Sequence, residues 1–134
     1  MHEVVVGALV RDSRVLLVHR CPTKAAFPST WDLPGGGIEA GETEPAALAR
    51  ELQEELGVQI AADALLPLCR ARAGRPGTEV RINAWLVTDW DGVPVNAAPE
   101  EHDDMGWFDV EELPPLAHVT VRAALVEAMR SPSA

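Results

Sequence analysis

Two rhythms of apolar and polar positions run through the chain. Residues 3–10, EVVVGALV, are nearly all apolar and β-branched, as expected of a buried strand. Asp12-Ser13 makes a turn, and residues 15–18 predict a second strand ending in His19-Arg20. From Cys21 to Trp31 the pattern lapses, and Pro22 and Pro28 predict a loop. The run Pro34-Gly35-Gly36-Gly37 is predicted to stay outside regular structure. Past a central helix, a short strand at residues 58–60 and a longer one at 65–73 lead to a turn at Arg75-Pro76-Gly77-Thr78. Val80, Ile82, Ala84 and Leu86 then alternate with Arg81, Asn83 and Trp85, a strand of period two. After the Asp91-Gly92 turn, residues 96–104 read as an acidic, proline-containing loop, 106–110 as a strand and Leu113-Pro114-Pro115 as a break. Residues 119–129 predict a closing helix with Val121, Leu125, Ala128 and Met129 roughly on one face. Strands, a helix, more strands and a last helix predict an α/β fold, a mixed sheet packed by at least two helices.

The central helix has the clearest ends. Thr43 is an N-cap residue type, Pro45 is tolerated in a first turn whose amides lack helical partners, and Gly57 suits a left-handed C-cap. Leu48, Leu52 and Leu56 stack into an apolar stripe that must face a core. Glu51, Glu54 and Glu55 stand at i, i+3 and i+4 and crowd onto one flank beside that stripe. Like charges so spaced destabilise a helix by roughly 0.2–0.5 kcal/mol per pair. A hard divalent cation would convert the repulsion into binding, because Mg²⁺ takes carboxylate oxygens and substrate phosphates together. The competing reading is a solvated face on which Arg50 and Glu54 form an ordinary i, i+4 pair.

Length and charge narrow the picture. A chain of 134 residues is the size of one domain, residues 1–134, with room for a sizeable core. No apolar run is long enough to span a bilayer, and no charged-then-apolar leader precedes Val4, so no membrane partner and a cytoplasmic location are expected. Cys21 and Cys69 fit no metal spacing and read as reduced and incidental. A net charge of −10 argues against a nucleic-acid polymer as partner. A small polyphosphate remains compatible if a metal and a few arginines supply positive charge locally.

The stretch from Leu33 to Val58 carries a longer pattern: Gly36, five residues, Glu42, seven residues, then Arg50-Glu51-Leu52-Gln53-Glu54-Glu55-Leu56-Gly57-Val58. This resembles the signature of the Nudix hydrolases, with every defining position filled. The resemblance implies an α/β/α sandwich with a mixed sheet and a central catalytic helix, covering nearly the whole chain. It implies Mg²⁺- or Mn²⁺-dependent hydrolysis of a pyrophosphate bond in a nucleoside diphosphate linked to another group. By the same resemblance Glu54 and Glu55 should be metal ligands, and Glu51 a further ligand or the base that orients water. The Gly36 carbonyl is a further candidate ligand. Glu42 and Arg50 should hold loop and helix together, Arg50 aligning the neighbouring catalytic glutamates, and Gly57 closes the helix.

Family members often add an acid from a loop outside the signature. Glu100, Glu101, Asp103 and Asp104 are the candidates, with Asp104 and Glu101 preferred. His102 sits among them, where surrounding carboxylates favour its charged form, and has no assigned role. For phosphates, Arg20 and Arg81 are candidates, with Arg70, Arg72 and Arg75 clustered near the hairpin; each is also an ordinary surface residue type. For a base, Leu33, His118, Trp31 and Phe27 are candidates, and Lys24 and Phe27 are close enough in sequence to overhang the site.

Substrate class is read mostly by exclusion. The chain has no tyrosine, so the tyrosine associated with diadenosine-polyphosphate and NADH-type Nudix enzymes is missing. Arg72 and Ala73 occupy the neighbourhood where ADP-ribose hydrolases tend to carry a proline. The upstream pattern of coenzyme A hydrolases is matched only in part by Leu16-Leu17-Val18-His19-Arg20. What remains is a MutT-like reading: a (deoxy)nucleoside triphosphate, oxidised or non-standard nucleotides included, cleaved to monophosphate and pyrophosphate. A nucleotide sugar or ADP-ribose is the alternative substrate, and a non-catalytic nucleotide-sensing domain the alternative of another class. Family members are often dimers, which leaves a homodimer open.

Overall fold

The computed structural model describes residues 2–130; residue 1 and residues 131–134 of the expected domain lie outside the described residues. The chain runs β1 (His2–Arg11), β2 (Arg14–Arg20), β3 (Trp31–Asp32), β4 (Gly35–Gly37), α1 (Glu44–Leu56) and β5 (Gln59–Ile60). A one-turn 3-10 helix, Ala62–Ala64, leads to β6 (Leu65–Ala73), β7 (Val80–Val87), β8 (Trp90–Asp91) and β9 (His102–Asp109). A second such turn, Val110–Glu112, precedes α2 (Val119–Arg130).

Seven strands form one mixed sheet in the order β3-β2-β1-β7-β6, with β4 added to β1 and β9 to β2. β1 and β7 are parallel, Val4 opposite Ile82 and Leu9 opposite Val87, and the other pairings are antiparallel. The edge of β1 away from β7 is shared. Val4–Val6 face β4, whereas Val10 and Arg11 pair with β2 across the Asp12-Ser13 turn. Both turn residues have positive φ, the conformation that a tight two-residue hairpin demands.

Alternation along β1 and β2 builds two cores. Val5, Leu9, Leu16 and Val18 pack with Leu48, Leu52 and Leu56 of α1. Val6, Ala8, Val15 and Leu17 face the other way, onto Val121 and Leu125 of α2. The result is the expected sandwich, a mixed sheet between two helices, and it explains why the first strand has no polar face. Burying each leucine of the α1 stripe contributes about 1.5–3 kcal/mol. The helix ends are also as expected. Thr43 Oγ1 accepts the Ala46 amide at 3.2 Å, Pro45 sits in the first turn, and Gly57 at φ 69° sends its N–H to the Gln53 carbonyl.

Two expectations fail, both because a strand edge recruits residues with poor strand propensity. Gly35–Gly37 is not irregular but is strand β4 on β1. Gly35 has φ 151°, and a Cβ there would lie 2.1 Å from the Val5 carbonyl oxygen, so only glycine lets the two backbones come this close. The acidic loop expected to end at Asp104 is likewise cut short, because His102 to Asp104 already pair with Arg20 and His19 as the start of β9, across a bulge. Among the described residues no helix is long and apolar enough to cross a membrane.

Candidate active site

The C-terminal half of α1 and the β4 backbone meet at one wall of a cavity of about 460 Å³. Gly36 and Glu51 line it, with Arg20, Lys24, Phe27, Asp32, Leu33, Glu101 and His118 around the remaining walls. A recess of similar size, about 500 Å³, lies between the β1–β2 turn and residues 92–94. It holds none of the helix glutamates, so the chemistry belongs to the first.

Arg50 organises the helix edge. Its Nε and Nη2 donate to the two carboxylate oxygens of Glu42 at 2.8 Å each, and Nη2 also reaches the Gly37 carbonyl at 3.0 Å. Nη1 donates to Glu51 Oε1 at 3.0 Å. One planar guanidinium thus ties the loop before the helix, β4 and Glu51 together, a task suited to its fork of donors. This hydrogen bonding holds the Glu42 carboxyl at about 2, well below the usual range, with the Glu39 amide assisting.

The three glutamates of this flank differ sharply in exposure. Glu54 is largely exposed and lies 3.6 Å from Arg50 Nη1, so the ordinary i, i+4 pair exists alongside any metal role. Glu55 is on the buried face of the helix, 2% exposed, among the leucines. Burial, and then the adjoining Glu51 carboxylate, push its carboxyl up to about 9. Its Oε1 is buried without a hydrogen-bond partner. Glu51 lies directly over Gly36, where a Cβ would stand 2.6 Å from its carboxylate. Gly36 therefore makes room for the Glu51 carboxylate, a reason for glycine beyond any role of its carbonyl.

The remaining candidates separate. Arg20, Leu33, His118 and Glu101 line the cavity, as do Lys24 and Phe27 from the loop expected to overhang it. Lys24 Nζ is 3.4 Å from Glu101 Oε1, and the Phe27 ring meets His118 edge-on at 4.8 Å. Arg81 is on the opposite face of β7 from the lining residues Val80 and Ile82, paired with Glu3 at 3.3 Å. Asp104 caps the Met105 amide at 2.8 Å and borders a separate recess with His19, Trp31 and Asp103. The structure does not bring Arg81, Asp104 or Trp31 into the cavity: strand alternation turns Arg81 and Trp31 away, and the bulge in β9 sets Asp104 opposite His19, beside the other recess.

His102 also differs from expectation. It is buried, and burial lowers its pKa despite the pull of Glu101, so the neutral ring is favoured rather than the charged one. Asp32 was not singled out in the sequence, yet it is buried and lines the cavity. Burial lifts its carboxyl to about 6 against the Leu33 amide and the Arg20 charge. The available signal was a lone acid between the apolar Trp31 and Leu33.

The NUDIX domain family profile matches residues 1–129. The chain belongs to the Nudix hydrolase family. An Escherichia coli Nudix relative, CTP pyrophosphohydrolase, is 31% identical over 84% of this chain and 78% of its own length. A crystal structure of a MutT NUDIX hydrolase from Burkholderia pseudomallei superposes with a TM-score of 0.82 at 30% identity, covering 92% of this chain and 95% of that one. A Mycobacterium tuberculosis protein provisionally named an 8-oxo-dGTP diphosphatase is 56% identical over 59 residues, 43% of this chain but only 40% of that protein.

Nudix hydrolases generally use divalent metal ions, and the helix edge here fits one. Among the described residues, no three acidic, histidine or cysteine side chains already stand as a closed metal cage. The components are nevertheless those a hard cation takes. Glu51 and Glu55 are adjoining carboxylates, one with an unpartnered buried oxygen, and Glu54 is one helical turn from Glu51. Placing positive charge there would favour the ionised Glu55 carboxylate, offsetting the burial and, after it, the Glu51 repulsion that raise its pKa.

Proposed function

We propose that this chain is a Mg²⁺- or Mn²⁺-dependent pyrophosphohydrolase of nucleoside triphosphates, releasing monophosphate and pyrophosphate. The observation that carries the reading is the adjoining pair Glu51 and Glu55 at the wall of a cavity that also holds Arg20, Lys24, Phe27 and His118. Glu51, Glu54 and Glu55, with the Gly36 carbonyl, would hold the cation. When bound, the ion neutralises phosphate charge and makes water a better nucleophile.

The chain's own groups account for the rest. Arg50 keeps Glu51 from swinging away, so its carboxylate is in place either as ligand or as the base that takes the water proton. Glu101 faces the cavity from the loop side and is the candidate for the additional acid. Arg20 and Lys24 are the cations positioned for phosphate oxygens, and the Phe27–His118 pair with Leu33 offers an apolar and aromatic wall for a base. Water oxygen bonds to phosphorus as the bridging P–O bond breaks, and the displaced phosphate leaves with the electron pair. The names of the E. coli and M. tuberculosis relatives, a CTP pyrophosphohydrolase and an 8-oxo-dGTP diphosphatase, support triphosphates as the class.

A panel of ordinary and oxidised nucleoside triphosphates, ADP-ribose and nucleotide sugars, with Mg²⁺ or Mn²⁺, tests the reading. Release of pyrophosphate from one or more triphosphates is expected. Preference for ADP-ribose or a nucleotide sugar would move the assignment within the family. Tight binding without metal-dependent turnover of any member would make the chain a sensor instead.

A further inference from the structure

Among the described residues, His102 and Glu55 form the most buried acid–base pair joined across two elements. His102 Nε2 is 3.5 Å from Glu55 Oε1, with the two side chains 6% and 2% exposed. Glu55 Oε1, the oxygen that faces His102 Nε2, is buried without a hydrogen-bond partner, as is Nδ1 on the other side of the imidazole. Leaving buried polar atoms in this state is a cost that a packing role alone would not require of a histidine.

The segment carrying His102 is seated for this contact. The Ala97 amide donates to the Glu55 carbonyl at 2.8 Å and the Val95 amide to the Leu56 carbonyl at 3.0 Å, stitching the 95–102 loop to the end of α1. The His102 amide donates to Ala98 O at 3.0 Å, and its carbonyl accepts from Asn96 Nδ2 at 2.8 Å. Its neighbour Glu101 meanwhile turns into the cavity and pairs with Lys24. One short strand start thus delivers an acid to the cavity and an imidazole behind the buried glutamate.

We propose that His102 is a positioning residue for Glu55: its Nε2 engages Oε1 and orients the carboxylate beside Glu51 for a divalent cation. The inference rests on Glu55 being a metal ligand, as in the function proposed above. It goes further in assigning this histidine, which also borders the cavity, the task of aligning that ligand. Partners of this kind typically alter metal affinity by about 10–100-fold when removed.

The test titrates Mn²⁺ into the chelator-treated 134-residue chain, following free Mn²⁺ by electron paramagnetic resonance, with metal-free melting curves as a fold check. His102→Gln keeps a donor near the Nε2 position, whereas His102→Asn and His102→Leu do not. The expected result is a Kd raised about 10–100-fold for His102→Leu and His102→Asn, with His102→Gln near the parent. Should His102→Leu fail to fold, the Gln against Asn contrast decides alone. Parent-like affinity in His102→Asn, or equal loss in His102→Gln and His102→Asn, would overturn the proposal alone. Glu55→Gln serves as the control for the underlying site. Parent-like affinity there would overturn Glu55 as a ligand, and the role of His102 with it.

Discussion

Adjacent glycines in β4 make the sharpest test of the site, because alanine should fail at each for a different reason. At Gly36 the backbone is one that alanine adopts readily, but its Cβ would stand 2.6 Å from the Glu51 carboxylate carbon and both its oxygens. That is roughly 1 Å inside ordinary contact distance. The obstacle is the far end of a flexible side chain, so Glu51 can rotate away once its 3.0 Å bond to Arg50 is given up. A charge-assisted bond of that kind is worth about 1.5–3 kcal/mol at most, and here Glu42 still neutralises Arg50 while Glu51 regains water. Loss of unfolded-state freedom returns about 0.4–1 kcal/mol. Gly36→Ala should therefore change stability by no more than about 1–2 kcal/mol. Its Mn²⁺ affinity and turnover should nevertheless fall sharply, because the carboxylate has left its seat. At Gly35 the Cβ would meet backbone, 2.1 Å from Val5 O and 2.7 Å from Val6 Cα, at φ 151°. Strain of about 1–3 kcal/mol plus loss of β4–β1 pairing should make Gly35→Ala the much less stable protein. Urea unfolding, Mn²⁺ titration and turnover on both variants provide the measurement. Parent-like metal affinity and rate in Gly36→Ala, or equal destabilisation of the two, would refute the reasoning.

Other consequences are as direct. Glu54→Gln and Glu55→Gln should each lower turnover by orders of magnitude with unchanged circular dichroism; full Mg²⁺-supported activity in either removes it from the metal site. Because the folded-state pKa of Glu55 is raised to about 9 from an ordinary 4.5, the stability it contributes is present below 4.5 and is lost as pH rises toward 9. Metal-free protein should accordingly lose up to about 1.4 kcal/mol per pH unit in that window, and Glu55→Gln or saturating Mn²⁺ should flatten the slope in denaturation series. Glu42 has the opposite sign: with its pKa lowered to about 2, its contribution is present above 4.5 and disappears as pH falls through 2. Arg50→Lys cannot reproduce simultaneous bonds to Glu42, Glu51 and the Gly37 carbonyl, so weaker Mn²⁺ binding and loss of the Glu42 acid dependence are expected.

Local chemistry was legible wherever neighbours in sequence decide the outcome. The Thr43 cap, the Pro45 first turn, the Gly57 stop and the Leu48–Leu52–Leu56 stripe depend on contacts within a few residues, and all of them recur in the fold. The α/β order, the doubly buried first strand and the Nudix pattern from Gly36 to Val58 were equally open to reading. Strand capture was not: Gly35–Gly37 and His102–Asp104 have little propensity for strands, and only the free edges of β1 and β2 make strands of them.

The side on which each candidate residue falls was decided by tertiary structure alone. Period-two alternation sends Arg81 to Glu3 and leaves Val80 and Ile82 at the cavity, and a bulge at the start of β9 separates the environments of Glu101, His102 and Asp104. Spacing along α1 could show that Glu51, Glu54 and Glu55 are neighbours. It could not show that one is in solvent, one at the cavity and one buried against a histidine forty-seven residues downstream. Local sequence carries propensity and periodicity, which are short-range quantities. Burial comes from the partners that the fold packs around a side chain: it is the first cause that raises the Glu55 carboxyl, whereas Glu42, held low by Arg50, stays outside the core.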